Sequence, residues 1–251
     1  MRVLVTNDDG VESPGLAVLT RAALDAGLDV VVAAPAEQSS GASAAIIATR
    51  ENGRTPVTRV TLPDTPDVEA YAVQAQPGHI VLAALRGWLD PVPELVLSGI
   101  NHGANVGRAV LHSGTVGAAL TAGVVGVRAL AVSLDVALHP EGDRHWSGAA
   151  KLLPDVLDLL AGTGAGTVLS LNVPDRPQLR DLRHATLAPF GTVQTRVDSA
   201  DDSSWQLAEV EVEDEPADGS DSALLAAGHP TLTALSSVSE DTSVDLAQLL
   251  R

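Results

Sequence analysis

The sequence has 251 residues, of which 45% are hydrophobic but only 2% aromatic, and 32 acidic against 15 basic side chains give a net charge of −17. A charge of this size and sign repels phosphate backbones and anionic lipid at long range, so nucleic acid duplexes and membranes are not expected partners. Cysteine is absent, which excludes disulfides, zinc–thiolate sites and thiol nucleophiles.

The first predicted strand ends in a run of polar residues. Residues 3–5 (VLV) have the aliphatic, β-branched composition of a strand that is buried on both faces of a parallel sheet. They lead into Asn7-Asp8-Asp9-Gly10, and open α/β sheets bind ligands at the carboxyl ends of their strands. Adjacent carboxylates repel each other unless a cation or a shared proton intervenes, and hard cations such as Mg²⁺ prefer oxygen ligands. Taken alone, the run is equally consistent with a plain polar turn.

The following residues predict a βαβ unit. A helix capped by Ser13 begins at Pro14, and residues 28–34 (LDVVVAA) form a second buried strand. The loop 36–43 follows this strand, so it lies at the same sheet edge as the first polar run.

Strands and helices continue to alternate along the chain. We predict helices over 78–89, 116–124 and 146–160, and strands over 94–98, 129–134, 166–173 and 231–235. After residue 174 the chain is more charged and irregular, its acidic run 209–221 is expected to be partly a solvated loop, and a last helix is predicted near 244–250.

These elements predict an α/β fold built on a mostly parallel sheet. The N-terminus leads into a strand without a basic and then apolar leader, and Thr121 and Arg128 interrupt the long apolar stretch 116–132. We therefore expect a cytoplasmic protein.

Three strand-end loops are expected to converge: 7–10, 39–41 and 98–101. Together they offer two carboxylates, a hydroxyl and an amide oxygen, which suit a hard divalent cation. A fourth segment, Ser113-Gly114-Thr115, opens a helix, and helix N-termini bind phosphate through free N–H groups. A cation beside a phosphate cradle suggests hydrolysis of a phosphate ester.

The segments TNDDGVESPG, APAEQSSGAS, SGINHGANVG and HSGTVGAA resemble, in this order and with similar spacing, the motifs of the SurE family. The similarity continues through LSLNVPD at residues 169–175. These proteins are metal-dependent nucleoside 5'/3'-monophosphate phosphatases. The resemblance implies a Rossmann-like core with helices on both faces in residues 1–174. It also implies a C-terminal region, 175–251, used to form homodimers or homotetramers.

The resemblance also implies roles for individual residues. One divalent ion per subunit, Mg²⁺ or Mn²⁺ with Ca²⁺ as a further option, is expected on Asp8, Asp9, Ser40 and Asn101. The phosphate or the rest of the nucleotide is expected to contact a second set: Asn7, Gly41, Asn105, Ser113, Gly114 and Thr115.

The sequence leaves the attacking group open. A water activated by Asp8 or Asp9 as general base is our first choice, and a covalent aspartyl-phosphate on one of them is the alternative. His102 and His112 lie close to the predicted site residues in the sequence and could donate a proton to the leaving alkoxide. For each of them, however, a surface histidine without a catalytic role is the favoured interpretation.

Two other functions compete with the phosphatase. Departures from the family pattern at Arg108, His112 and Thr121 allow a catalytically impaired member that binds metal or nucleotide. A signalling receiver-like module also places an acidic pair at the end of its first strand. It needs a third aspartate and a lysine at later strand ends, but the only lysine of the sequence, Lys151, lies inside a predicted helix.

Overall fold

The computed structural model describes residues 1–138, 140–190, 193–200, 205–211, 217–241, 243–245, 248 and 250. The strands are β1 (Arg2–Thr6), β2 (Asp29–Pro35), β3 (Val57–Val60), β4 (Glu69–Val73), β5 (Leu95–His102), β6 (Arg128–Asp135), β7 (Val168–Pro174), β8 (Arg183–His184), β9 (Val193–Ala200), β10 (Trp205–Glu211) and β11 (Thr231–Leu235). The α-helices are α1 (Pro14–Asp25), α2 (Pro77–Ala83), α3 (Gly114–Val124), α4 (Trp146–Ala161) and α5 (Asp221–Ala226).

The main sheet has the strand order β3-β4-β2-β1-β5-β6-β7-β11-β8. Strands β4, β2, β1, β5, β6 and β7 are parallel, whereas β3 and β11 run antiparallel to β4 and β7. Strands β9 and β10 form a separate antiparallel pair. The residues after 174 therefore contribute to the main sheet, through β8 and β11, and to this second pair.

Helices cover both faces of the sheet, as predicted. Val3 and Val5 of β1 belong to one apolar cluster with Leu16 of α1 and Leu153 of α4. Leu4, whose side chain points to the opposite face, belongs to a second cluster with residues of α2 and α3. A strand that buries both faces needs a continuous aliphatic run, which is why the sequence pattern identified it.

Two predicted boundaries differ from the structure. Strand β5 does not end at Ser98, because its pairing with β6 resumes at Asn101 after a register shift and continues to His102. Helix α2 is shorter than predicted, and it is followed by a π-helical segment, Ala84–Trp88, in which Gly87 takes a φ of 96°.

The last predicted helix, near 244–250, lies partly outside the described residues, which leave out 246, 247 and 249. None of the helices in the described ranges combines the length and hydrophobicity of a transmembrane span.

The sheet order reverses at β1. From β1 the chain passes to β2 on one side and later to β5 on the other. At such a switch point the loops at the carboxyl ends of the strands diverge and leave a crevice that binds ligands. Asp8, Asp9 and Asn101 all lie at this edge.

Candidate metal and phosphate site

Asp8 lies at the centre of the candidate site. It follows β1, and only 4% of its surface is exposed. The Thr115 hydroxyl donates a hydrogen bond to Asp8 Oδ1. Gly114 comes so close that a Cβ at this position would lie 2.7 Å from Asp8 Oδ2. The N-terminus of α3, predicted to hold phosphate, therefore contacts a predicted metal ligand directly.

Burial raises the pKa of Asp8 from 3.8 to about 6, a rise that the Thr115 hydrogen bond partly offsets and the charge of Asp9 increases. Burial also raises the pKa of Asp9, although the hydrogen bond from the His102 backbone opposes this. Among the described residues, no lysine or arginine forms an ion pair with either carboxylate. The charge of His102 also lowers the pKa of Asp9, but neighbouring, largely buried carboxylates without a lysine or arginine partner still favour a bound metal ion.

Asp9 joins the loop after β1 to the end of β5. The backbone N–H of His102 donates to Asp9 Oδ2 at 3.0 Å. The preceding residue, Asn101, uses its amide nitrogen to donate to the Gly103 carbonyl at 2.8 Å. Its amide oxygen is the atom that a cation would bind. The structure therefore brings Asp9 to the end of β5, next to Asn101, while the described hydrogen bonds include none between the Asn101 side chain and either carboxylate.

The loop after β2 reaches the same place through Ser39. The Ser39 backbone N–H donates to the Asp8 carbonyl at 2.7 Å. Ser40, the predicted ligand, is exposed, and its hydroxyl accepts a hydrogen bond from Gln38 Nε2 at 3.0 Å. Gly41 follows it and is also exposed.

Further along, the same loop packs on α3. The Ser43 hydroxyl donates to the Leu111 carbonyl at 2.6 Å, and its backbone N–H donates to the His112 carbonyl at 3.2 Å. A Cβ at Gly117 would overlap the Ser43 carbonyl, so only glycine permits this approach. The loop after β2 and the start of α3 are thus held as one unit.

The remaining residues predicted to bind substrate have structural hydrogen bonds of their own. Ser113 caps α3 and accepts from the Val116 N–H at 3.0 Å. Asn105 donates from its side-chain amide to Ser133 Oγ at 2.9 Å. Asn7 is fully buried and donates to the Gly10 carbonyl at 3.0 Å, while its Oδ1 has no hydrogen-bond partner within the described chain. These contacts fix the loops around Asp8.

Asn172 and Asp221 support the site through hydrogen bonds, although the sequence analysis assigned no function to either residue. The side chain of Asn172 in β7 accepts from the Asn105 N–H at 2.8 Å and donates to its carbonyl at 2.9 Å. Asp221 is buried and accepts backbone hydrogen bonds from Gly107 at 2.7 Å, and from Ala188 and Ser222 at 2.9 Å. Asp221 closes the acidic run that was expected to be partly solvated. The capping serine before it is the signal for its position at a helix start.

The three departures from the family pattern make no direct contact with the acidic pair among the described hydrogen bonds and ion pairs. Arg108 and His112 are exposed, and Thr121 donates its hydroxyl to the Gly117 carbonyl within α3 at 2.7 Å. Within the described residues, none of the three forms a hydrogen bond or ion pair with Asp8 or Asp9.

The candidate metal ligands at this sheet edge include few charged groups. Across the ranges that the structure describes, no three His, Asp or Glu side chains gather as a metal site. A cation here would therefore rely on two carboxylates and neutral oxygens, as the predicted set of Asp8, Asp9, Ser40 and Asn101 does.

Several known proteins of one family are similar to this chain. The family model described as Survival protein SurE matches residues 3–196. A protein named 5'-nucleotidase SurE from Xanthomonas euvesicatoria pv. vesicatoria is 40% identical over 182 residues, which span 70% of this chain and 64% of that relative. One of the same name from Nitratidesulfovibrio vulgaris is 36% identical over 94% of this chain and 93% of its own length. The crystal structure of SurE protein from Aquifex aeolicus superposes over the whole of both chains with a TM-score of 0.80 at 25% identity.

Proposed function

This chain belongs to the Survival protein SurE family, and from that membership we propose that it is a divalent-metal-dependent phosphatase. Its substrates would be nucleoside 5'-monophosphates, and also 3'-monophosphates, which it hydrolyses to nucleoside and phosphate. The observation that carries the proposal is the contact between the N-terminus of α3 and the buried Asp8 carboxylate. That contact supports the proposal because a helix N-terminus can bind an anion and the two neighbouring carboxylates can bind a metal ion.

Asp8, Asp9, Ser40 and Asn101 would hold one Mg²⁺ or Mn²⁺ ion, and Ca²⁺ suits the same oxygens. The fit is supported by two carboxylates with raised pKa values and no cationic side chain paired to them in the described chain. When bound, such an ion neutralises charge on phosphoryl oxygens and lowers the pKa of a bound water.

The chain's own residues would bind and orient the phosphate. The first backbone N–H groups of α3, at Gly114 and Thr115, lack helical acceptors and lie at the positive end of the helix dipole, and the Thr115 N–H also hydrogen-bonds to Asp8. Ser113 and Asn105 add a hydroxyl and an amide beside them, and Gly41 and Asn7 complete the predicted set. The Thr115 hydroxyl holds the Asp8 carboxylate in place.

Asp8 or Asp9 would then act as general base toward the attacking water. The alternative is direct attack by one of these carboxylates, which leaves an aspartyl-phosphate on the protein. Acid quenching with radiolabelled phosphate distinguishes the two, because only the covalent route leaves label on the chain. His102 and His112, both exposed at this edge, are the candidates for protonating the leaving alkoxide.

Residues 1–174 would form the catalytic core, and residues 175–251 would serve assembly into homodimers or homotetramers in the cytoplasm. Light scattering of the full chain and of a chain lacking residues 191–216 tests the assembly role. A monomeric full chain would refute it.

Hydrolysis of p-nitrophenyl phosphate and a panel of nucleotides, with Mn²⁺, Mg²⁺ or a chelator, tests the activity. We expect metal-dependent turnover that falls at least about a hundredfold in Asp8→Asn, while Asp143→Asn, which removes an exposed carboxylate, retains it. If the wild-type protein is no more active than Asp8→Asn, the chain is instead an impaired family member. Calorimetry with the same metals then reports whether it still binds them.

A further inference from the structure

A cavity of about 260 Å³ opens beside the candidate phosphate site. It lies between the loop after β5 and the end of β6, and its lining includes His102, Asn105, Val106, Asp135 and Leu138. Asn105 belongs both to this cavity and to the predicted phosphate contacts. A group attached directly to the phosphate would therefore enter it.

Asp135 gives this cavity one acidic side chain. It is the last residue of β6, and only one residue separates it from Ser133, whose hydroxyl contacts the Asn105 amide. Alternate residues of a strand point to the same face, so the Asp135 carboxylate lies on the Asn105 side of β6. Valine, alanine and leucine side chains form much of the remaining wall.

A carboxylate in this position selects for hydrogen-bond donors. It repels a phosphate dianion, so the phosphate stays on the α3 side of Asn105. An ionised carboxylate only accepts hydrogen bonds, and vicinal hydroxyl groups of a sugar supply two donors. The volume lies just below the ~300 Å³ lower end of typical small-molecule sites, which suits a pentose better than a whole nucleoside.

We infer that this cavity is a ribose subsite, in which Asp135 accepts hydrogen bonds from the 2'- and 3'-hydroxyls of a nucleoside 5'-monophosphate. This inference rests on the proposed function, since it adds a sugar-recognition residue to the same site. The pentose lies against Val106 and Leu138, and the base extends toward solvent. The protein therefore distinguishes ribonucleotides from substrates without these hydroxyls.

The test compares kcat/KM for AMP and 2',3'-dideoxy-AMP in the full-length protein. Wild type should prefer AMP about tenfold to a hundredfold, the range for a hydrogen bond to a charged group. Asp135→Ala should bring the ratio near one. Asp135→Asn should give an intermediate ratio, because its amide oxygen still accepts one hydrogen bond. Asp143→Ala, which removes a carboxylate outside the cavity, should keep the wild-type ratio.

A structural role for Asp135 would lower activity on both nucleotides and on p-nitrophenyl phosphate by the same factor, and that result overturns the inference. A wild-type protein that hydrolyses AMP and its dideoxy analogue equally well also overturns it, while the proposed phosphatase function stands. If a thermal melt shows that Asp135→Ala does not fold, the ratio of kcat/KM for AMP to that for 2',3'-dideoxy-AMP in Asp135→Asn distinguishes sugar recognition from a structural role.

If wild type hydrolyses none of these substrates, the proposed function fails. Equilibrium titration with adenosine and 2',3'-dideoxyadenosine then judges the cavity alone. Tighter binding of adenosine that is lost in the Asp135 variants supports a ribose subsite, and equal or absent binding refutes it.

Discussion

Replacing Asp8 with asparagine should stabilise the metal-free protein at neutral pH. Because the folded pKa of about 6 lies above the unfolded value of 3.8, the folded state binds the Asp8 proton more tightly. As pH rises from about 3.8 to 6, the unfolded chain ionises freely while the folded chain is penalised for ionising. The free energy of unfolding therefore falls across this window and levels off above it. The asparagine in Asp8→Asn does not ionise, so the variant does not lose stability through this group as the pH rises.

The size of the effect follows from the pKa difference. Each pKa unit corresponds to about 1.4 kcal/mol, so a shift of roughly two units costs the folded state up to about 3 kcal/mol at pH 7. For a chain of this size, each kcal/mol changes Tm by about 2–4 °C. Asp8→Asn should thus melt several degrees higher than wild type in a chelator at pH 7, and at the same temperature as wild type near pH 4.

Metal near a thousand times its Kd should reverse the order at pH 7, because the stabilisation then exceeds the cost of up to about 3 kcal/mol. A ligand at a hundred times its Kd stabilises a protein by about 2.7 kcal/mol, and at a thousand times by about 4.1 kcal/mol. Wild type should gain this in Mn²⁺ or Mg²⁺, and Asp8→Asn should gain little.

Thermal unfolding from pH 4 to 8, with chelator and with metal, provides the measurement, and Asp143→Asn serves as the exposed control. Equal Tm values of wild type and Asp8→Asn in chelator at pH 7 would show that burial of Asp8 carries no cost. An equal gain of both proteins in metal would exclude Asp8 as a ligand.

Three further predictions concern contacts around the site. Gly114→Ala puts a Cβ 2.7 Å from Asp8 Oδ2, so calorimetry should show at least about tenfold weaker metal binding. Gly164→Ala, whose Cβ meets nothing within 4 Å, should bind as wild type does. Thr115→Val removes a hydrogen bond to the charged Asp8, so kcat/KM should fall about tenfold to a hundredfold, whereas Thr115→Ser should retain most activity. Asp221→Ala leaves buried backbone N–H groups without an acceptor and should lower the free energy of unfolding in urea by about 2–4 kcal/mol. A loss below about 1 kcal/mol would contradict the role given to Asp221.

The elements of the core could be predicted because their signals are local. A strand that is buried on both faces needs aliphatic residues at successive positions, and residues 3–5 (VLV) meet this requirement. The start of α1 is marked by Ser13, whose hydroxyl accepts the Leu16 N–H as expected of a cap. Polar residues directly after such strands indicated the edge at which a ligand would bind.

Other features have no local signal. The capping serine before Asp221 marks a helix start, but it does not show that Asp221 is buried and accepts three backbone hydrogen bonds, and no residue near Asp135 shows that Asp135 lines a cavity. Likewise, the loop after β2 contacts Asp8 through the Ser39 backbone, and a backbone contact leaves no trace in residue type.

The alternation of strands and helices, and the oxygen-rich ends of the strands, can be derived from the amino-acid order alone, because periodicity and capping act over a few residues. Which of these ends touch depends on how distant segments pack. Thr115 and Asp8 are 107 residues apart in the chain, and their contact exists because the sheet order reverses at β1 and brings α3 onto its edge. The environment that raises the pKa of Asp8 is likewise built from distant segments, since burial is a property of the packed molecule and not of the residue.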